Sequence, residues 1–135
     1  MLNDLLRGLP YLVHTNRELG LMLAGTKPLA YFVDGKGCFP DVVLRYLRLF
    51  DRHVAEGRII RFDHFSDAWG RKHYVAHRIL FALPGEEWRL RAMVDLMLSD
   101  APWSQDLERR QGELLGYEDW MNDYWLTSVY GKPPV

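Results

Sequence analysis

The chain has 135 residues, 48% of them hydrophobic, which suits a single domain spanning residues 1–135. Its formal net charge is -1, from 17 basic and 18 acidic side chains, so it has no global field that would concentrate nucleic acid or an anionic membrane. No apolar run approaches the roughly 18 residues of a membrane span, and the first residues lack the basic and apolar regions of a signal peptide. The single cysteine, Cys38, permits no internal disulfide, and we therefore expect a cytoplasmic protein.

Two helices and a strand are predicted in the first part of the chain. Thr15 and Glu18 have the spacing of a capping box, which predicts a short helix over about 16–24. The run 28–33 stops at a glycine-rich turn and predicts a strand, which we expect to be central in the sheet because it is apolar on both faces. Pro40 suits the first turn of the next helix. Its apolar positions recur at helical spacing: Val43, Tyr46, Leu47, Phe50 and Val54.

Residues 58–83 predict a β-hairpin, because two runs rich in apolar and β-branched residues flank a short Ala-Trp-Gly-Arg segment. If Asp67 pairs with Lys72 across the turn, alternate residues of both strands share one face. That face carries Ile60, Phe62, His64, His73, Val75, His77 and Ile79. Because it holds three of the five histidines, it is a candidate functional surface.

His64, His73 and His77 support an alternative function, a small enzyme or ligand-binding domain, because imidazole titrates near neutrality and serves acid/base chemistry. His73 and His77 also have a spacing that on a helix would let both bind one zinc ion. On a strand the same spacing separates them by about 13 Å, too far for one ion. We therefore expect no shared metal and no cofactor, and a structural role for these histidines stays open.

Three further helices are predicted after the hairpin: over 86–97, from Ser104 to about Leu114, and over 118–125. Phe50 and Val94 are predicted core residues, because each lies within an apolar stripe. The order of elements predicts an α+β fold: a small antiparallel or mixed three-stranded sheet that includes the 58–83 hairpin, with four to five helices covering one face.

The C-terminal region combines large aromatic rings with carboxylates in an unusual density: Glu118, Asp119, Trp120, Asp123, Tyr124 and Trp125. Aromatic anchors with a polar rim are typical of protein-binding surfaces. This pattern predicts a small interaction module, an accessory or inhibitor-like protein whose partner is a basic protein or a second copy of the chain. Alternatively the three rings close the core, since their spacing puts them roughly on one helical face.

Two other features leave alternatives open. Arginines concentrate in mid-chain (Arg45, Arg48, Arg52, Arg58, Arg61, Arg71 and Arg78), but nearby acids can pair with them, namely Asp41, Asp51, Glu56 and Asp63. We therefore do not expect nucleic-acid binding. Cys38 precedes a predicted helix, whose N-terminus can activate a thiol as a nucleophile, but no matching cysteine–histidine signature accompanies it. A cysteine that simply packs in its loop is therefore the favoured interpretation.

Overall fold

The computed structural model describes residues 6–67 and 74–131. Its elements are α1 (Glu18–Leu23), β1 (Leu29–Gly35), α2 (Asp41–Ala55), β2 (Ile60–Asp67), β3 (Val75–Ala82), α3 (Trp88–Met97), α4 (Gln105–Leu115) and α5 (Asp119–Tyr130). The predicted α+β class and the predicted order of helices and strands are confirmed. Within the described ranges, no helix is both long and apolar enough to cross a bilayer.

The three strands form an antiparallel sheet in the order β1-β3-β2, so the central strand is β3 and not β1 as predicted. The reason is that helices cover both faces of the sheet, which makes even an edge strand apolar on both sides. α1 and α2 pack on one face, around Phe50 and Phe81. α3 and α4 pack on the other, around Leu80 and Val94. The prediction that helices cover only one face is therefore wrong, whereas Phe50 and Val94 are confirmed as core residues.

The hairpin forms with a longer connection than predicted, because Asp67 pairs with Val75 and not with Lys72. The observed pairing is displaced by three residues from the predicted one. Because side chains alternate between the two faces of a strand, an odd displacement turns the side chains of one strand to the opposite face relative to its neighbour. His64 therefore shares its face with Arg78, its cross-strand partner, while His77 lies on the opposite face. The predicted common histidine face is wrong for His64 and His77, and His73 lies outside the described residues.

The N-terminus of α1 is built by the backbone and not by the predicted capping box. Its N-cap is Arg17, with no side-chain cap, and the preceding Asn16 adopts a left-handed φ of 67°. The amide of Arg17 donates to the carbonyl of His14 at 2.8 Å, which closes a tight turn. The predicted cap of α4 is confirmed, since the Ser104 hydroxyl accepts from the amide of Leu107.

Close contact between α4 and α5 depends on Gly112, where a Cβ would overlap the side-chain oxygen of Asn122. Asn122 is buried, and its amide donates to the carbonyl of Tyr117 at 3.3 Å. Gly112→Ala should therefore lower the free energy of unfolding by about 1–3 kcal/mol, despite the roughly 1 kcal/mol that alanine gains in a helix.

Gly20 in α1 supplies the matched control, because a Cβ there meets open space. Gly20→Ala should raise the free energy of unfolding by up to about 1 kcal/mol. Urea denaturation of both variants measures the two signs. Equal effects in the same direction would show that the α4–α5 contact is looser than described.

Candidate functional site

The exposed side of α5 carries two large rings that both pack against a third ring from the N-terminal segment. Trp120 and Tyr124 lie one helical turn apart, and their side chains are 48% and 42% exposed. The ring of Tyr11, from the segment before α1, contacts both edge to face, with centroid distances of 5.5 Å to Trp120 and 6.3 Å to Tyr124. Tyr11 thus supports a ring pair that stays open to solvent.

Three carboxylates flank these rings, and they differ in how far their charge is compensated. Glu118 accepts a hydrogen bond from the indole nitrogen of Trp120 at 2.6 Å, a neutral donor that orients the ring and leaves the negative charge in place. Asp119 makes no ion pair with any described residue, whereas Asp123 pairs with Arg109 at 2.6 Å. Glu118 and Asp119 also stand at the N-terminus of α5, where the helix dipole favours them. We call Tyr11, Trp120, Tyr124 and these three carboxylates the aromatic surface.

Trp125 does not belong to this surface. Its indole nitrogen donates to Glu108 of α4 at 2.9 Å, and its ring lines a cavity of about 200 Å³ between the N-terminal segment, α4 and α5. The cavity is walled on the other side by Leu9, Val13 and Tyr117. The six residues predicted from sequence are therefore divided: five surround an exposed patch, and Trp125 closes the packing between α4 and α5.

A second exposed tryptophan, which the sequence analysis missed, lies close to Glu118 and Asp119. Trp88, at the start of α3, is 52% exposed and lines a shallow groove with both acids. The guanidinium groups of Arg89 and Arg110 lie 4.6 and 5.9 Å from the centre of its ring. Arginine stacked on an exposed indole is a favourable cation–π arrangement. The ring of Trp88 is therefore already in contact with two cations of the chain itself.

A buried lysine lies behind the aromatic surface. Lys27 is only 2% exposed, and its Nζ is 2.8 Å from Nδ1 of His14 and donates to the carbonyl of Leu115 at 3.0 Å. The His14 ring stacks on Tyr117 at 3.8 Å, which continues the aromatic cluster inward from Tyr11. The lysine therefore ties the N-terminal segment to the C-terminal end of α4. No motif marks it, because a lysine in a short loop is almost always solvent-exposed.

Burial controls the charge of this lysine and of the histidine beside it. Loss of solvent lowers the pKa of Lys27 to about 7, a shift that Glu18 partly opposes. Burial, reinforced by the positive charge of Lys27, lowers the pKa of His14 to about 4. A neutral His14 can accept a hydrogen bond from Lys27. The lowered pKa of His14 is therefore consistent with the short distance between Nζ of Lys27 and Nδ1 of His14.

The two described histidines of the hairpin have different surroundings. His77 is 2.7 Å from Asp63, a carboxylate that Arg61 also binds, and the hydrogen bond from Arg61 is the main reason why the pKa of Asp63 is lowered. His77 opens onto a groove of about 400 Å³ beside α2. His64, on the other face, has a pKa lowered by partial burial and by Arg78, and its buried Nδ1 has no partner among the described residues. They therefore cannot act on one substrate together.

Three of the four acids expected to pair with mid-chain arginines do so, and Asp63 binds Arg61 at 2.7 Å. Asp51 accepts from Arg61 at 2.9 Å, and Glu56 pairs with Arg58 at 3.3 Å. Arg78 is buried and donates to Ser66. The expected pairing is therefore confirmed for Arg58 and Arg61, whereas within residues 6–67 and 74–131 no ion pair involves Arg45, Arg48 or Arg52. Arg71 lies outside the described residues.

Cys38 is an exposed free thiol that donates weakly to the carbonyl of Lys36 at 3.6 Å. Among the described residues, no group of three histidine, cysteine or acidic side chains is arranged to hold a metal ion.

Comparison with protein-family models, with curated proteins and with solved structures finds no match to this chain.

Proposed function

We propose that this chain is a small protein-interaction module, an accessory or inhibitor-like protein, whose partner docks on the aromatic surface of α5. The observation that carries the proposal is the exposure of two supported rings, Trp120 and Tyr124, side by side over Tyr11. Large rings held in one orientation lose little conformational freedom on binding and bury much area, which is why they dominate binding energies at interfaces.

The chemistry of the rim indicates what kind of partner fits. Glu118 and Asp119 place negative charge beside the rings, and Trp120 has no cation over its face among the described residues. A partner that presents arginine or lysine can pair with the acids and stack on the indole at once. Phosphate would be repelled by the same acids, so the proposal does not extend to nucleic acid. A cytoplasmic location is part of the proposal, because the chain carries one free cysteine and no disulfide.

The alternative function, an enzyme that uses His64, His73 and His77 together, has less support. The sheet separates His64 from His77, and the groove beside α2 reaches only His77 of the two. The His77–Asp63 contact adjoins two ion pairs, since Arg61 binds both Asp63 and Asp51 of α2. This arrangement also serves to hold β2 against α2.

Replacing Trp120 with alanine should weaken partner binding at least about tenfold, because a half-exposed aromatic anchor is lost. The fold should be nearly unchanged, since surface substitutions usually alter stability by less than about 0.5 kcal/mol. The measurement is co-purification of the tagged full chain from its native host with mass spectrometry, followed by titration of the recovered protein against the parent chain and the variant.

Trp103 provides the matched control. It is also 48% exposed, but it lies in the connection between α3 and α4, outside the aromatic surface. Trp103→Ala should bind as the parent chain does. Equal binding by the parent and Trp120→Ala, or equal loss in both tryptophan variants, would remove the aromatic surface as the docking site.

A further inference from the structure

The outward side of α2 combines exposed apolar side chains with cations that make no ion pair with any described residue. Val42, Arg45, Leu49 and Arg52 recur at intervals of three and four residues, which places them along one side of the helix, and Arg48 lies next to them. Val42 is 65% and Leu49 41% exposed. An open groove of about 600 Å³ runs along these side chains. We call these five residues the basic face.

The basic face complements the aromatic surface in charge. One presents guanidinium groups between aliphatic side chains, and the other presents carboxylates between rings. Arginine also stacks well on indole, as the contact of Arg89 with Trp88 illustrates within the chain. Along their helices the basic face extends about 15 Å, from Val42 to Arg52, and the aromatic surface about 9 Å, from Glu118 to Tyr124, so the aromatic surface fits within the length of the basic face.

The two surfaces cannot meet within one copy of the chain. α2 packs on the face of the sheet that holds Phe50 and Phe81. α5 packs on α4, whose Leu114 lies in the core of the opposite face. The sheet and its cores therefore separate the basic face from the aromatic surface. Contact between them requires two molecules, and because the joined patches differ, such contacts repeat head to tail.

We propose that the basic face of α2 binds the aromatic surface of α5 on a second copy of this chain, so that copies associate head to tail. The inference rests on the proposed function, because it names a second copy as a partner of the aromatic surface. The net charge of only -1 supports it, since two copies repel each other little while their opposite patches attract.

The test is sedimentation velocity of the full chain over a range of concentrations at low salt. The parent chain should sediment faster as its concentration rises, and high salt should reverse much of this increase through screening. Reversing the basic face (Arg45→Glu with Arg52→Glu) should weaken self-association at least about tenfold, and so should reversing the acids (Asp119→Lys with Asp123→Lys). All four residues are exposed, so both variants should fold, which circular dichroism checks.

A chain that carries both reversals at once is the decisive variant. Its patches are again opposite in sign, so self-association should return to near the parent level. A parent chain that stays monomeric at all concentrations would overturn the inference. So would self-association that either reversal leaves intact, or a doubly reversed chain that stays monomeric.

The proposed function can fail separately. If the aromatic surface binds only a different protein, Arg45→Glu with Arg52→Glu should keep that partner, Trp120→Ala should lose it, and the parent chain should not self-associate. This result would reject the second copy as partner and retain the docking surface. Self-association that depends on Arg45 and Arg52 but not on Trp120 would reject the inference, and the docking surface would then rest on the co-purification alone.

Discussion

Replacing Phe50 with alanine should lower the free energy of unfolding by about 3–5 kcal/mol, because the site is fully buried and cannot collapse around a smaller side chain. The Phe50 ring stacks on Phe81 with 4.3 Å between centroids and contacts Tyr46 and Phe32 edge to face at 5.1 and 5.7 Å. Its removal therefore leaves a cavity between α2 and the sheet, lined by rings that are too rigid to fill it.

Val42→Ala on the same helix is the control for Phe50→Ala, since Val42 is 65% exposed and its truncation should cost less than about 0.5 kcal/mol. Equilibrium denaturation in urea measures both. A midpoint for Phe50→Ala equal to that of the parent chain would mean that α2 is rotated from the described orientation. We expect this control to leave the core intact although Val42 belongs to the basic face.

The free energy of unfolding should rise with pH between about 7 and 10.5, by up to about 1.4 kcal/mol per pH unit, because of Lys27. The pKa of Lys27 is lowered in the folded chain, so in this interval the unfolded chain holds a proton that the folded chain lacks. Raising the pH therefore favours the folded state, and below pH 7 this dependence disappears. His14 gives a second rise between about 4 and 6.5 for the same reason.

Lys27→Met isolates the contribution of the lysine, because methionine has a similar length and no titrating group. Denaturation midpoints at several pH values between 7 and 10 should show a clearly smaller slope in the variant than in the parent chain. Identical slopes would show that the Lys27 ammonium is solvated in the folded protein. Since Lys27 holds the N-terminal segment that carries Tyr11, the variant should also loosen the support beneath Trp120.

The helices were predictable because their apolar residues repeat at a helical period. In α2 that pattern identified Phe50 and its neighbours as core. A pattern of this kind depends only on residues within one element. The capping box at Thr15 failed for the opposite reason: the left-handed Asn16 and the turn that His14 closes are set by the surrounding packing.

The hairpin register was not predictable, because it depends on a turn whose length the sequence does not define. β3 carries apolar residues on both faces, so the sequence does not show which of its faces should align with the apolar face of β2. The burial of β1 on both faces could not reveal its edge position either, since that burial comes from helices that lie elsewhere in the sequence.

The candidate site was predicted in part. Trp120 and Tyr124 were predicted as site residues because large rings and carboxylates are dense in this segment. The structure leaves both rings exposed. Tyr11, which supports them, and Lys27, which anchors the segment that carries Tyr11, lie roughly a hundred residues away in the chain. No local pattern links residues at that separation, so only the folded structure brings them together.

The strand order also has a consequence for the sequence of folding events. β2 and β3 are neighbours in the chain and can pair as a local hairpin, whereas β1 joins β3 across more than a third of the chain. Until β1 arrives, the central strand presents a free hydrogen-bonding edge between two apolar faces. The β1 of a neighbouring molecule fits that edge as well as the chain's own, so raising the concentration during refolding should increase the fraction of copies that exchange this strand.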